Sequence, residues 1–180
     1  MSIQNLDTEV ILLLTSHFKS TQGAGYKPLT PSEWSKFAIW LRKEGLFPKN
    51  LLETDLHNMI RGWQDPKVTY ERISYLLNRG MALAMAYEKW ESMGIWVVSR
   101  ADADYPKKIK TSLGTTSPPV FYGCGNRKLL LTQSIGVVGS RDVPQEDTAF
   151  AEEIGKWISK SGYSVVSGGA KGSDYTSMVG

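Results

Sequence analysis

Two clusters of small residues, each carrying one cation, are the parts of this sequence best suited to chemistry. Gly139-Ser140-Arg141 follows the apolar run Ile135-Gly136-Val137-Val138. Ser167-Gly168-Gly169-Ala170-Lys171-Gly172-Ser173-Asp174 follows the run Tyr163-Ser164-Val165-Val166. Glycines let backbone N–H groups approach an anion, and a guanidinium or ammonium beside them adds full charge. The chemistry these residues suggest is the holding of a phosphate-bearing ligand. The same glycines could also do no more than make tight turns. Arg141 and Lys171 at one edge favour the anion site, with Gly139, Ser140, Gly168, Gly169 and Gly172 around them. Asp174, next to the turn amides, reads as a cap on the following helix.

Such clusters need strands to carry them. Two short β-branched runs with an amphipathic segment between them predict a strand-turn-helix-strand-turn-helix unit, whose parallel strands bind ligands at their carboxyl ends. Phe150, Ala151, Ile154, Trp157 and Ile158 fall at helical spacing, which places Trp157 in the core, and Gly162 suits the residue that ends this helix. Three familiar templates fail. The first turn lacks the G-x-G-x-x-G of dinucleotide folds, Lys171 precedes Gly172 in the wrong order for a phosphate loop of nucleotide hydrolases, and no G-x-S-x-G elbow occurs.

The remaining residues exclude more than they suggest. A single cysteine, Cys124, rules out an internal disulfide and a cysteine-rich zinc site. His17 and His57 lie far apart, and no nucleophile-base pair, metal cluster or pair of carboxylates stands out, so neither a catalytic residue nor a cofactor is expected. Residues 1–94 carry 11 basic and 10 acidic side chains and residues 95–180 carry 10 and 8, so nucleic-acid affinity must come from placed cations. No window approaches the roughly twenty apolar residues that span a bilayer. Met1 to Asn5 offers no charged lead-in to an apolar core, so a cytoplasmic protein is expected.

From Leu6 to about Gly94 the periodicity is helical. Leu6, Val10, Leu13, Leu14 and Phe18 make one stripe, and Gly23 with Gly25 marks a loop. Thr30-Pro31-Ser32-Glu33 is a helix start ahead of Trp34, Phe37, Ala38 and Leu41. Asn50 with Glu53 reads as a second cap, Asp65-Pro66 as a third start, and Gly80 as a break before a helix over 81–93. Trp40 and Trp63 are the tryptophans worth testing as contacts for a partner or for bases, whereas Trp34 reads as core. The expected fold class is α/β: a small helical bundle over 1–94, then an incomplete Rossmann-like parallel sheet over 95–180, with the run 112–119 as a loop.

Four stretches in order resemble the DNA-processing protein A family (DprA, also called Smf): Asp104-Tyr105-Pro106-Lys107-Lys108-Ile109, the proline-proline stretch from Ser117 to Asn126, the turn from Ile135 to Arg141, and the loop from Ser167 to Asp174. The resemblance implies a variant Rossmann fold, single-stranded DNA binding, aid in loading a RecA-type recombinase during natural transformation, homodimerisation and no catalysis. By it, Ser140 and Arg141 hold one phosphate, and Gly168, Gly169, Lys171 and Gly172 another. Met178 and Val179 stand where the family carries a polar pair, and the family's later strands and second basic segment are not found here, so a fragment or truncated relative is expected. Two other readings stay open: a nucleotide sensor or nucleotide-processing protein using the same pocket, and a non-catalytic protein-interaction module.

Overall fold

The computed structural model describes residues 5–18, 25–53 and 55–180, so Gly23 and the first four residues lie outside the described residues. The chain folds as two units, Met1–Arg127 and Lys128–Gly180. Helix is mixed with one small antiparallel and one small parallel sheet.

The first unit is built around α1 (Leu6–Thr15), which Asn5 caps by accepting from the Asp7 N–H. Its buried side chains form no single stripe. Val10, Ile11 and Leu14 join one apolar cluster and Leu12 and Leu13 another, so the helix is covered all round. Leu6, expected in the stripe, is exposed. The helices α2 (Pro31–Lys43), α3 (Leu56–Met59), α4 (Tyr70–Leu77) and α5 (Gly80–Ser92) complete the helical part. The Thr30–Glu33 capping box forms as the sequence indicates, with the Thr30 hydroxyl accepting from the Glu33 N–H and the Glu33 carboxylate from the Thr30 N–H.

Three other starts differ from expectation. Asn50 closes a 3-10 turn over Pro48–Leu52 by accepting from the Phe47 N–H, and Asp55 caps α3. Asp65 accepts from the N–H groups of Lys67 and Val68, so it turns the chain and leaves the capping of α4 to Thr69. Gly80 begins α5 where the sequence suggested only a break. For Asn50 and Asp65 the reason is shared: short Asx side chains satisfy turn amides as readily as helix amides.

Glu33 and Arg72 hold α2 to α4. The Arg72 guanidinium donates to both Glu33 carboxylate oxygens at 3.1 Å and to the carbonyls of Lys27, Pro28 and Lys67. Burial raises the Glu33 pKa, but the Arg72 and Thr30 hydrogen bonds outweigh it and leave the carboxyl below its ordinary value. Asp65 is held at about 2, first by the hydrogen bond from the Lys36 ammonium and then by the Val68 and Lys67 amides. A carboxylate depressed on folding stabilises the fold above its unfolded pKa of about 3.9 and loses that contribution as pH falls toward the folded value. Urea midpoints measured between pH 5 and pH 2 are therefore expected to drop, and to drop less in Asp65→Asn. Parallel pH profiles for the two proteins would contradict this.

β1 (Trp96–Ser99) and β2 (Val120–Gly123) pair antiparallel, Trp96 opposite Gly123 and Ser99 opposite Val120. A buried polar knot ties them to α1. The Thr8 hydroxyl meets Ser99 Oγ at 2.8 Å and donates to Asp102 at 2.9 Å, while Asp102 also accepts from the Ser99 N–H and from Asn5. This is why the units divide at Arg127 rather than at the expected Gly94: the strands after Gly94 are bonded into the helical unit. Between them, α6 (Lys107–Leu113) and a 3-10 turn fill the stretch read as loop. The Asp-Tyr-Pro and Pro-Pro stretches meet here, since the buried Tyr105 hydroxyl donates to the Pro118 carbonyl at 2.6 Å. Burial pushes the Tyr105 pKa up.

Trp40 and Trp63 belong to this core. Trp40 stacks on Phe37, with ring centroids 6.0 Å apart, and Trp63 lies 5.0 Å from Phe37 while its indole N–H donates to the Val68 carbonyl. Both are partly covered and packed on the cluster that holds the buried Trp34.

The second unit is the strand-helix-strand-helix expected. β3 (Ser134–Gly136) and β4 (Ser164–Val166) run parallel in the register Ser134 to Ser164 and Gly136 to Val166. α7 (Gln145–Lys160) joins them and α8 (Ser173–Val179) follows. Gly162, at φ +81°, ends α7, and the Tyr163 N–H returns to the Ile158 carbonyl in a Schellman arrangement. Trp157 corrects the sequence reading: it is 64% exposed, and Phe150 on the same face is exposed too. The inward face of α7 is marked by the buried Gly155 and Ile158, with Ala151 and Ile154 half-buried beside them. A Cβ on Gly155 would lie 2.0 Å from the Ser177 carbonyl oxygen, so α8 packs backbone to backbone at that glycine and draws the neighbouring stripe inward.

Candidate phosphate-binding loops

The tips of β3 and β4 lie side by side and are joined to each other. The Ser173 N–H donates to the Ser140 carbonyl at 3.1 Å, and the Gly139 N–H donates to the Asp174 carboxylate at 3.2 Å. Asp174 is buried, in the first turn of α8, where a negative charge is favoured. It does not cap that helix. Gly172 occupies the cap position with no side-chain bond, and Asp174 reaches across to the other loop. Sequence proximity suggested the cap; the pairing of strand tips decides the clasp.

The glycines are where side chains cannot fit. A Cβ on Gly139 would stand 2.4 Å from that of Ser173, and one on Gly172 would stand 2.3 Å from the Ser140 oxygen and 2.7 Å from the Arg141 oxygen. Gly172 also has φ +90°, a conformation costly for any residue with a Cβ. The glycine pattern is therefore set in part by loop-to-loop packing.

A cavity of about 470 Å³ opens beside this joint, and Arg141, Lys171 and Gly172 line it together. Among the described residues neither cation pairs with a carboxylate. Pro144 and Thr148 line it too, which puts the start of α7 at its wall. That helix has no side-chain N-cap, and its first-turn amides face outward from an unblocked end, though Glu146 and Asp147 in the same turn offset part of the favourable dipole. Asp142 lines the cavity as well, leaving a net charge of +1 over Arg141, Lys171 and Asp142. Two cations and one acid are enough charge to meet a single phosphate group, and too little to form a broad basic field.

The other sequence-predicted residues divide. The N–H groups of Gly168, Gly169, Ala170 and Lys171 donate to no protein acceptor among the described residues, as an anion cradle requires. Gly169 has φ +65°, which turns the chain at this point. Gly139 and Ser140 are already engaged: the Gly139 amide by Asp174, and the Ser140 hydroxyl by the carbonyl and N–H of Asp142. Of the seven residues expected to bind phosphate, Arg141, Lys171 and Gly172 share the cavity. Gly139, Ser140, Gly168 and Gly169 shape or flank it. The α7 start was missed by sequence reasoning, although Pro144 ahead of Gln145 and Glu146 is a helix-start signal.

Residues 96–180 match the model of the family described as DNA recombination-mediator protein A. Over that stretch the chain is similar to the DNA-processing protein A family. The X-ray structure of DNA processing protein A (DprA) from Streptococcus pneumoniae is similar in fold, with a TM-score of 0.55 at 21% sequence identity. The match covers 98% of this chain and 53% of that one, so this chain spans about half the length of its structural relative. No curated protein matches the chain. Among the described residues no helix is long and apolar enough to cross a membrane, and no cluster of metal-binding side chains occurs.

Proposed function

We propose that this protein binds single-stranded DNA through its sugar-phosphate backbone at the joined tips of β3 and β4, and that it does so to help a RecA-type recombinase onto the strand. One phosphate sits between Arg141 and Lys171, and the free amides from Gly168 to Lys171 receive that phosphate or its neighbour. The reading includes no catalytic step, a cytoplasmic setting, self-association and a part in DNA uptake. The observation that supports it most is a single cavity lined by both unpaired cations beside open backbone donors. Backbone contacts of this kind position a strand without reading its sequence.

The test is a salt titration of oligothymidylate binding. Arg141→Ala and Lys171→Ala are each expected to weaken binding by about tenfold, as loss of one charge-assisted bond implies. Each is also expected to reduce the slope of log affinity against log salt by about 0.7, the counterion contribution of one phosphate on a single strand. Unchanged affinity and slope in both variants would overturn the proposal. Tight binding of thymidine monophosphate with no gain from a longer strand would favour a nucleotide sensor instead.

A further inference from the structure

We infer that the helical unit carries a second, separate binding site: a groove that takes an acidic peptide segment of a partner protein by an apolar anchor flanked by carboxylates. The groove encloses about 560 Å³, within the range of ligand sites. Its floor is apolar, with Ala38 and Leu46 half-buried over the buried Ile11 and Trp34, and Ile39 and Phe47 are 60% and 61% exposed. Three cations from three different parts of the chain surround that apolar floor: Arg42 from α2, Arg100 just after β1 and Lys110 from α6. Among the described residues none of them pairs with a carboxylate. Asp7 is the acid at the groove, and one of its oxygens already accepts from the Lys49 N–H.

The arrangement selects the ligand in two steps. Three unpaired cations against one partly engaged acid call for an anionic partner, since complementary charge steers and orients binding. The floor then separates a peptide from a nucleic acid. A nucleobase carries donors and acceptors that the apolar floor cannot satisfy, and leaving them unpaired is costly. The Ser35 hydroxyl in the lining already accepts from Arg100 at 2.7 Å. Trp34, 2% exposed, presents no face for stacking, and the exposed Phe47 ring already has the Lys49 ammonium 5.9 Å from its centroid. A leucine or phenylalanine anchor needs no hydrogen bond and gains by burial, and aspartates beside it meet Arg42, Arg100 and Lys110.

The probe is a fluorescein-labelled heptapeptide with acidic residues on both sides of a central Leu-Phe pair, added to the full chain and followed by fluorescence anisotropy. Saturable binding in the micromolar range is expected. It should weaken at least tenfold when Arg42→Glu and Lys110→Glu are combined, with an unchanged thermal melt, because both side chains are exposed. On the unaltered protein, replacing the Leu-Phe pair of the peptide with two serines is expected to cost as much, which tests the anchor without changing the protein. Failure to saturate by about 1 mM, equal binding by the serine peptide, or equal binding by the charge-reversed protein would each overturn the inference. So would full displacement of the peptide by oligothymidylate in Arg141→Ala/Lys171→Ala, which would make the groove a nucleic-acid site.

Discussion

Gly172→Val is expected to abolish oligonucleotide binding and to destabilise the Lys128–Gly180 unit by about 3 kcal/mol. Two effects add. The residue sits at φ +90°, where a branched side chain is strained, and its Cβ would stand 2.3 Å and 2.7 Å from the backbone oxygens of Ser140 and Arg141. Backbone atoms cannot step aside as a flexible side chain can. The loop carrying Arg141 must therefore part from the loop carrying Lys171, which breaks the Ser173-to-Ser140 and Gly139-to-Asp174 bonds. Gly169→Ala is the control. Gly169 is also left-handed, at φ +65°, but nothing lies within 4 Å of an added Cβ, so its loss should stay near 1 kcal/mol. Urea denaturation read through the exposed Trp157 of this unit separates them. Equal losses in the two variants would show that loop-to-loop contact does not hold the site together.

Phe37→Ala is the second large effect, expected to cost the helical unit about 3–5 kcal/mol. Phe37 is fully buried, and its ring lies within 6.4 Å of those of Trp34, Trp40 and Trp63. Removing it leaves a cavity between the Trp34 and Trp40 rings of α2 and the Trp63 ring beyond α3, which rigid rings fill poorly. Phe37→Leu refills most of the volume and should lose about 1–2 kcal/mol. Guanidinium unfolding followed by the tryptophan fluorescence of the unit measures both. A loss below about 1 kcal/mol in Phe37→Ala would mean that the aromatic cluster is not the unit's core.

The sequence was most legible where a local rule decides the outcome. The Thr30–Glu33 box starts α2, Gly162 ends α7, and the two apolar runs supply the parallel strands β3 and β4, although Val137 and Val138 fall past the end of β3. Arg141 and Lys171 could be placed together because parallel strands bring their tips to one edge, and the cavity they line follows from that. What escaped was set by contacts distant in sequence. No periodicity reveals that Asp102 ties β1 to α1 through Thr8 and Ser99, so the unit boundary was expected at Gly94. The face of α7 that turns inward depends on Gly155 meeting the backbone of α8, so Trp157 was expected inside. Asp174 looked like a cap for α8 because its bond to Gly139 spans 35 positions. α1 carried too many apolar residues for one stripe, and only the elements packed around it show why Ile11 and Leu12 are buried as well.

The most direct measurement is a nitrogen-15 amide spectrum of the labelled chain titrated with oligothymidylate. Binding at the joined strand tips should move the amides of Arg141 and of Gly168 through Lys171 in proportion to bound strand, with the Gly139 amide, held by Asp174, moving less. Saturable binding that leaves those amides in place while others shift would contradict a phosphate grip between Arg141 and Lys171.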